Sequence, residues 1–259
     1  MVDYLTELFN LEGRVAAVIG GGGYLCGEMA RGLAKAGVKV VVLDKNAETR
    51  AGRVEEIREA GGIAMHLPIE ATDKASHRAA LAEIMAAYGR VDILINGAGI
   101  NAPTPVLEIE LDEFRAIYES HVLATLLGCQ VFGAQMLEQG KGSIINMSSA
   151  SAGPPLSDAF TYSAAKAGVK NLTQNIAREW AARRVRVNAL RPGFFPTEWS
   201  KKHFIDETRN AAILGHTPMG RYGEPHELVG AVIWLCSDTA SFVTGAEIAV
   251  DGGFSCMTI

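Results

Sequence analysis

The stretch VAAVIGGGGYLCGEMARGLAKAGVKVVVLD, residues 15–44, decides the fold. Val15–Ile19 is a short apolar run that predicts a strand, and the glycines at 20–23 predict the turn that follows it. The next residues have the spacing of a helix that ends at Gly37. Residues 38–43 are apolar except for one lysine, as expected for a parallel strand covered on both faces. The stretch therefore predicts a β–α–β unit.

The same alternation continues to the C-terminus, and no linker, charge block or repeat interrupts it. Further helices are predicted at about 47–60, 74–88, 112–138, 162–183 and 227–237, and further strands at 63–67, 92–96, 143–147, 185–190 and 246–250. Strands that alternate with helices imply right-handed crossovers. We therefore expect an α/β fold: a doubly wound (Rossmann-type), seven-stranded parallel sheet with helices on both faces, forming a single domain over residues 1–259.

The composition excludes several classes of protein. A net charge of −5 leaves no basic excess for a nucleic-acid surface. The four cysteines lie far apart and lack CxxC spacing, which predicts free thiols in a reducing compartment and no metal site. The N-terminus has no basic segment followed by an apolar run, and the apolar runs are shorter than a membrane span. We therefore expect a cytoplasmic protein without nucleic-acid or membrane partners.

Unusual residues cluster where the predicted strands end. In an open parallel sheet, ligands bind beyond the carboxyl ends of the strands, where the strand order reverses. Those ends carry the residues at 20–23, Asp44, the residues at 96–99, the serines at 148–149 and the residues at 191–197. We therefore expect these five clusters to converge on one crevice.

The glycine turn and Asp44 favour a dinucleotide. Glycines at a strand–helix junction let the backbone approach a pyrophosphate, whose charge then faces a helix N-terminus. Asp44 ends the second strand, where a carboxylate accepts hydrogen bonds from the adenosine ribose and repels a 2′-phosphate. This predicts NAD, while the adjacent Lys45 leaves NADP as an alternative. A structural turn and a helix-capping aspartate are the competing interpretations.

Tyr162, Lys166 and Ser149 are the candidate catalytic residues. Tyr162 and Lys166 are four residues apart, so they share one face of a helix. An ammonium group favours phenolate over phenol, and together with the positive charge of an oxidised nicotinamide it would lower the pKa of Tyr162 from about 10. Ser149 ends a strand and would hold the reacting oxygen beside Tyr162. The set predicts hydride transfer with Tyr162 as the acid or base.

These residues resemble the single-domain branch of the short-chain dehydrogenase/reductase family, and the likeness extends over nearly the whole chain. The shared motifs are the glycine turn, Asn96-Gly97-Ala98-Gly99, Ser149 with Tyr162 and Lys166, Pro192-Gly193-Phe194-Phe195-Pro196-Thr197, Thr244-Gly245 and Asp251-Gly252-Gly253. The resemblance implies that Lys166 holds the nicotinamide ribose, that Asn96 supports the central strand, and that the main chain after Pro192 contacts the nicotinamide. It also implies a homotetramer, with the helices at 112–138 and 162–183 at one interface and the C-terminal strand at another.

The complete set of residues predicted to contact the cofactor follows from these motifs and from their neighbours. It comprises Gly20, Gly22, Gly23, Tyr24, Leu25, Asp44, Glu70, Ala71, Asn96, Gly97, Ala98, Tyr162, Lys166, Pro192, Gly193, Phe195 and Thr197.

The chain departs from the family pattern at three places. In the glycine turn, Ile19 replaces a threonine, and Tyr24 and Cys26 stand in place of glycines. Glu70 occupies the position of an aspartate that contacts adenine. His121 occupies the position of a catalytic asparagine, whose backbone carbonyl helps to hold a water in a proton relay to the lysine. The histidine either adds its own proton-carrying group there or is a packed structural residue.

The substrate side resembles the sugar-acid oxidoreductases of the family, of mannonate/fructuronate or gluconate type. Residues at about 197–217 are expected to form a lid, and the lid offers several partners for a carboxylate: Lys201, Lys202, His203, Arg209 and His216. Arg191, at a strand end, would either grip a carboxylate or anchor the C-terminal strand through an ion pair. The remaining substrate candidates are Asn101, Ser151 and Trp199.

Three functions follow from these patterns. The first is an NAD-dependent oxidoreductase for a sugar acid or polyol. The second is a reductase of a 3-oxoacyl thioester or another hydrophobic ketone, which the aromatic pair Phe194 and Phe195 leaves open. The third is a non-catalytic dinucleotide sensor, suggested by the altered glycine turn and His121, although a sensor has no need of Ser149, Tyr162 and Lys166 together.

Overall fold

A seven-stranded parallel sheet forms the centre of the molecule, with the strand order β3-β2-β1-β4-β5-β6-β7. It is seen in a computed structural model that describes residues 4–197, 200–202 and 205–257. The strands are β1 (Val15–Ile19), β2 (Lys39–Asp44), β3 (Ala64–Pro68), β4 (Ile93–Asn96), β5 (Gly142–Met147), β6 (Val185–Pro192) and β7 (Glu247–Val250). Every neighbouring pair is parallel, so the predicted fold class is confirmed.

Helices cover both faces of this sheet. They are α1 (Tyr4–Leu8), α2 (Tyr24–Lys35), α3 (Ala47–Glu59), α4 (Lys74–Tyr88), α5 (Leu111–Tyr118), α6 (Ala124–Gln139), α7 (Phe160–Trp180), α8 (Glu207–Gly215) and α9 (Val229–Cys236). Side chains of α2, α3 and α9 pack on one face of the sheet, and side chains of α4, α6 and α7 pack on the other. Because both faces are covered, the central strands are fully buried, which explains their continuous apolar sequence.

The predicted helix at 112–138 is interrupted. A π-helical turn at Glu119–Leu123 separates α5 from α6, and His121 lies within it. Such turns insert one extra residue into a helix and are frequent at functional sites. By length and composition alone, the segment Leu111–Gln139 could cross a membrane. However, 56% of its most apolar stretch is buried inside the protein, as in a core helix.

The order of strands reverses between β1 and β4, which are neighbours in the sheet although β2 and β3 lie between them in the chain. Their carboxyl ends therefore open the crevice in which ligands of such sheets bind. The turn at 20–23 follows β1 and the turn at 97–99 follows β4, so the strand order alone brings these two motifs together.

Candidate active site

A cavity of about 970 Å³ lies beyond the carboxyl ends of β5 and β6. Its wall includes Ser149, Tyr162 and Asn101, together with Gly193 and Phe195 from the segment after β6. The strand-end clusters at 148–149 and 191–197 therefore meet, as the sequence predicted.

The glycine turn after β1 packs closely against the backbone of the turn after β4. Gly20 has φ +76°, a conformation that favours glycine, and a Cβ on it would lie 3.0 Å from the backbone of Gly97 and Ala98. Gly22 is required for space, because a Cβ there would lie 2.6 Å from Oγ1 of Thr49. Gly23 caps the N-terminus of α2. The turn is therefore tightly packed and carries no side chains at these positions, and it leads into a helix N-terminus. Such a backbone fits a pyrophosphate.

Asp44 bridges the turn and the second strand. One carboxylate oxygen accepts a hydrogen bond from the backbone N–H of Gly22 at 3.2 Å, and the other accepts from Asn46 at 3.0 Å. The capping residue of α3 is Asn46, whose side chain accepts from two backbone N–H groups. The helix-capping interpretation of Asp44 is therefore wrong.

Glu70 and Ala71 lie in the turn between β3 and α4, and both make local contacts. The Glu70 carboxylate accepts hydrogen bonds from the backbone and the hydroxyl of Thr72. The carbonyl of Ala71 lies 2.9 Å from Nε2 of His77. Glu70 remains exposed, so these contacts leave its side chain at the surface, just beyond the end of β3.

Lys166 is held rigidly beneath Tyr162. Its Nζ donates a hydrogen bond to the carbonyl oxygen of Met147 at 2.6 Å and lies 5.5 Å from the centre of the Tyr162 ring. Ser149 lies with Tyr162 on the cavity wall, and its Oγ accepts from the backbone N–H and the hydroxyl of Ser151, at 3.2 and 3.1 Å. The structure therefore brings the three predicted catalytic residues together, and Ser151 orients Ser149 in this arrangement.

Burial decides the charges in this cluster. It lowers the pKa of Lys166 to about 8, so the ammonium form still predominates at pH 7. Burial also raises the pKa of Tyr162, and the neighbouring hydroxyl of Ser149 opposes this shift without overcoming it. Without a cofactor, the protein therefore does not lower the pKa of Tyr162, because desolvation of the phenolate outweighs the effect of the neighbouring residues.

His121 packs directly against the catalytic residues. Its ring meets the ring of Tyr162 edge to face, with the centres 5.1 Å apart, and its Nε2 lies 2.9 Å from the carbonyl oxygen of Ile100. A carbonyl only accepts, so Nε2 carries the hydrogen and Nδ1 presents a lone pair. Nδ1 is buried and has no hydrogen-bond partner among the described residues. A Cβ on Gly99 would lie 1.9 Å from Cε1 of the ring, so glycine makes room for it.

Burial, together with the charge of Lys166, lowers the pKa of His121 to about 3. The ring is therefore neutral near pH 7. A protonated ring would be a second buried cation beside Lys166, so the neutral form, which accepts a hydrogen bond at Nδ1, is favoured.

Asn96 belongs to a buried hydrogen-bond chain between strands. Its Nδ2 donates to Oδ1 of Asn146 at 2.8 Å, and Nδ2 of Asn146 donates to Oγ1 of Thr173 at 2.9 Å. These two hydrogen bonds link β4 and β5 to α7. Asn96 therefore holds the middle of the sheet to the helix that carries Tyr162 and Lys166.

Residues after β6 line the opposite side of the cavity, at 193–196 and among the described residues of 200–213. Phe194, Phe195 and Lys202 face the cavity, and Thr197 accepts a hydrogen bond from the backbone of Ser200 at 3.0 Å. Arg209 of α8 pairs with Asp158 at 3.2 Å, and the ring of His216 packs edge to face on Phe254. Lys201 is exposed. Trp199 and His203 lie outside the described residues.

Arg191 requires a correction. Its Nη2 lies 3.1 Å from a carboxylate oxygen of Glu247 in β7, and the residue does not line the cavity. Of the two interpretations, the anchoring ion pair is the one that the structure shows, because Glu247 lies on the neighbouring strand β7. Arg191 is therefore removed from the substrate candidates.

Two further features were missed by the sequence analysis. Asp158, with φ +55°, ties the segment before α7 to α8 through an ion pair with Arg209. Ser148 donates a hydrogen bond to Glu247 at 2.6 Å. Both contacts join residues that are about 50 and 100 positions apart, so no local pattern signals them.

Comparison with known proteins agrees with this geometry. The sequence model of the family described as "Enoyl-(Acyl carrier protein) reductase" matches residues 25–255. The chain is 38% identical to the uncharacterized oxidoreductase UxuB of Bacillus subtilis, covering 95% of this chain and 96% of that protein. It is 34% identical to D-threitol dehydrogenase of Mycolicibacterium smegmatis, with 95% of each covered.

A solved structure is similar over the whole chain. It is a gluconate 5-dehydrogenase from Burkholderia cenocepacia in complex with NADP and tartrate, with a TM-score of 0.93, 33% identity, and coverage of 98% of this chain and 100% of that one. The motifs, the sheet order, the family match and these relatives lead to one conclusion. The chain belongs to the short-chain dehydrogenase/reductase family.

Proposed function

We propose that the protein is an NAD(H)-dependent oxidoreductase that interconverts a secondary alcohol and a ketone on a sugar acid or polyol. The observation that carries this proposal is the placement of Tyr162 and Ser149 on the cavity wall, with the buried ammonium of Lys166 5.5 Å from the centre of the Tyr162 ring. A nicotinamide cofactor supplies or accepts the hydride in such a reaction.

Each residue of this set has a separate task in the proposed mechanism. In the reducing direction, Tyr162 gives its phenolic proton to the carbonyl oxygen; in the oxidising direction, it takes the proton of the alcohol. Ser149 holds that oxygen by a hydrogen bond. Because burial raises the pKa of Tyr162, the ammonium of Lys166 is needed to stabilise the phenolate when it forms. His121 remains neutral and positions the ring of Tyr162.

The residues in and around the glycine turn that follows β1 fit a dinucleotide. The backbone at Gly20, Gly22 and Gly23 would hold the pyrophosphate, and Tyr24 and Leu25 open the helix beside it. Asp44 would accept from the adenosine ribose, and its carboxylate would repel a 2′-phosphate, so we propose a preference for NAD. Relatives include a protein crystallised with NADP, and Lys45 keeps NADP as the alternative. The complete proposed contact set is the one predicted from the sequence.

The substrate proposal rests on the cavity wall and on the relatives. D-threitol and gluconate, which two relatives are named for, are both polyhydroxylated. In this chain Asn101 and Lys202 line the cavity and would contact a hydroxyl and a carboxylate. The alternative is a hydrophobic ketone such as a 3-oxoacyl thioester, favoured by the apolar wall of Phe194, Phe195 and Ile213.

Assembly and location are also proposals. The side chains of Leu111 and Phe114 on α5 and of Phe160 on α7 are large, apolar and exposed. Such a patch is typical of a protein–protein interface, so we propose that α5–α6 and α7 form one interface of a homotetramer. We further propose that residues 1–259 act as a single cytoplasmic domain with a lid at about 197–217.

The experiment that tests the function is a screen of the purified protein for NAD⁺ and NADP⁺ reduction with sugar acids, polyols and hydrophobic secondary alcohols. We expect activity with a sugar acid or polyol and NAD⁺. Activity confined to hydrophobic alcohols would support the alternative. Absence of activity with every class, combined with tight NADH binding, would contradict the enzymatic proposal and support a dinucleotide sensor.

A further inference from the structure

A partly buried ion cluster lies next to the strand end that carries Ser149. Glu247, at the start of β7, is about nine-tenths buried, and it carries two cations on one carboxylate oxygen: Arg191 at 3.1 Å and Lys170 at 3.3 Å. The other carboxylate oxygen accepts a hydrogen bond from the hydroxyl of Ser148 at 2.6 Å. The cluster therefore joins β7, β6, α7 and the end of β5.

Ser148 occupies a special position in the chain. Its predecessor Met147 provides the carbonyl oxygen that accepts from Nζ of Lys166 at 2.6 Å, and its successor is Ser149. These three residues, Met147–Ser148–Ser149, form a segment that sets the position of both the lysine and the serine hydroxyl. The regular strand ends at Met147. Ser148 and Ser149 therefore lie beyond the sheet, where other contacts must hold them in place.

Two contacts fix this segment as it leaves the sheet. The backbone N–H of Ser148 donates to the carbonyl of Leu190 in β6 at 2.8 Å, and the Ser148 hydroxyl donates to Glu247. On α7, Lys166 and Lys170 lie one turn apart. Lys166 binds the Met147–Ser148–Ser149 segment, and Lys170 binds Glu247, which anchors that segment. The anchor is thus tied to the same helix that carries Tyr162.

The strength of the anchor follows from its charge and burial. A hydrogen bond to a charged acceptor is shorter and stronger than a neutral one, and the 2.6 Å distance fits that class. A buried carboxylate persists only when its charge is compensated, and here two cations provide the compensation. Arg191 also packs under the residues that follow Ser149, since a Cβ on Gly153 would lie 2.8 Å from its Nη2.

We propose that Glu247 is a positioning residue for the reaction: through Ser148, it fixes the Met147–Ser148–Ser149 segment and so sets the geometry of Lys166 and Ser149. This inference rests on the proposed function. A shift of about 1 Å in a catalytic group can cost on the order of a hundredfold in rate. Loss of the anchor leaves the Leu190 contact intact, so a smaller loss of about tenfold in kcat is expected.

The test is Ser148→Ala, with Ser143→Ala as the matched control. Ser143 lies near the start of β5, at the end of the strand away from the cavity. It is as buried as Ser148, and its hydroxyl donates to the carbonyl of Leu235 at 2.9 Å. Both variants lose one buried hydrogen bond and are expected to lose similar thermal stability. Only Ser148→Ala is expected to lower kcat, by about tenfold, with KM and the dissociation constant of NADH within about twofold.

A conservative variant and a second site complete the test. Ser148→Thr keeps the hydroxyl and is expected to retain kcat. Glu247→Ala is expected to lower kcat as Ser148→Ala does, and the double variant is expected to lose no more than either single one. The proposal is overturned if Ser148→Ala keeps kcat within twofold of wild type, or if Ser143→Ala loses as much.

Hydrogen exchange gives a readout that does not depend on activity. The peptide containing residues 147–153 is expected to exchange faster in Ser148→Ala than in wild type, and to be unchanged in Ser143→Ala. If wild type has no NAD(P)-linked activity, the proposed function fails, and equal exchange in Ser148→Ala and wild type then overturns the anchor as well.

Discussion

Replacing His121 with asparagine is expected to flatten the acid side of the pH–stability curve. The pKa of this ring falls from an ordinary 6.5 to about 3 in the folded protein, because the ring is buried and lies near Lys166. As pH falls below 6.5, the unfolded chain takes up a proton at this position and the folded chain does not. The contribution of His121 to stability is therefore complete above pH 6.5 and is lost progressively down to about pH 3.

The size of the effect follows from the shift. Each pKa unit corresponds to about 1.4 kcal/mol, so between pH 7.5 and pH 5 the wild type is expected to lose about 2 kcal/mol more than His121→Asn. Burial also lowers the pKa of His77, but His77 is present in both proteins, so its contribution cancels in the difference.

The assay is urea unfolding followed by tryptophan fluorescence at pH 7.5, 6 and 5, at one protein concentration. The absolute stability of His121→Asn is irrelevant, because only the change in the difference with pH is used. If the two curves run parallel from pH 7.5 to pH 5, the ring is not held neutral, and the assignment of His121 as a neutral acceptor fails.

Two further substitutions test the cofactor side. Asp44→Ser removes the carboxylate that would repel a 2′-phosphate. The ratio of kcat/KM with NADP⁺ to kcat/KM with NAD⁺ is therefore expected to rise by at least about tenfold, which corresponds to about 1.4 kcal/mol. A wild-type enzyme that already prefers NADP⁺ strongly would refute the role of Asp44. Gly97→Ala places a Cβ 2.1 Å from Sγ of Cys26, and such overpacking costs about 1–3 kcal/mol. Calorimetry is expected to show a Tm lower by several degrees, partly restored by Cys26→Ala, and an unchanged Tm in the single variant would contradict the packing.

Much of the fold follows from local patterns. The seven strands and the class of the sheet were predicted because buried parallel strands leave continuous apolar runs between glycine turns. Helix α4 has the predicted bounds, and its ends are chemically marked: Asp73 caps its first turn and Gly89 ends it with φ +69°. The π-helical turn at Glu119–Leu123 was not predicted, since the sequence on both sides has an uninterrupted helical composition.

The candidate site was predictable where its residues are close in sequence or at strand ends. Tyr162 and Lys166 share a helix face by spacing alone, and Ser149 joins them because β5 ends beside α7. The partner of Arg191 was not predictable, because Glu247 lies more than fifty residues away and reaches it only through the pairing of β6 with β7. The same limit applies to the raised pKa of Tyr162, which depends on burial by residues distant in the chain.

The substitution Tyr162→Phe tests the central proposal most directly, because it removes one hydroxyl and keeps the ring that packs on His121. With the substrate and cofactor found in the screen, kcat is expected to fall by at least a hundredfold, as for the loss of a general acid or base. NADH binding, measured by fluorescence titration, is expected to be retained. A variant that oxidises the substrate at nearly the wild-type rate would contradict the role of Tyr162.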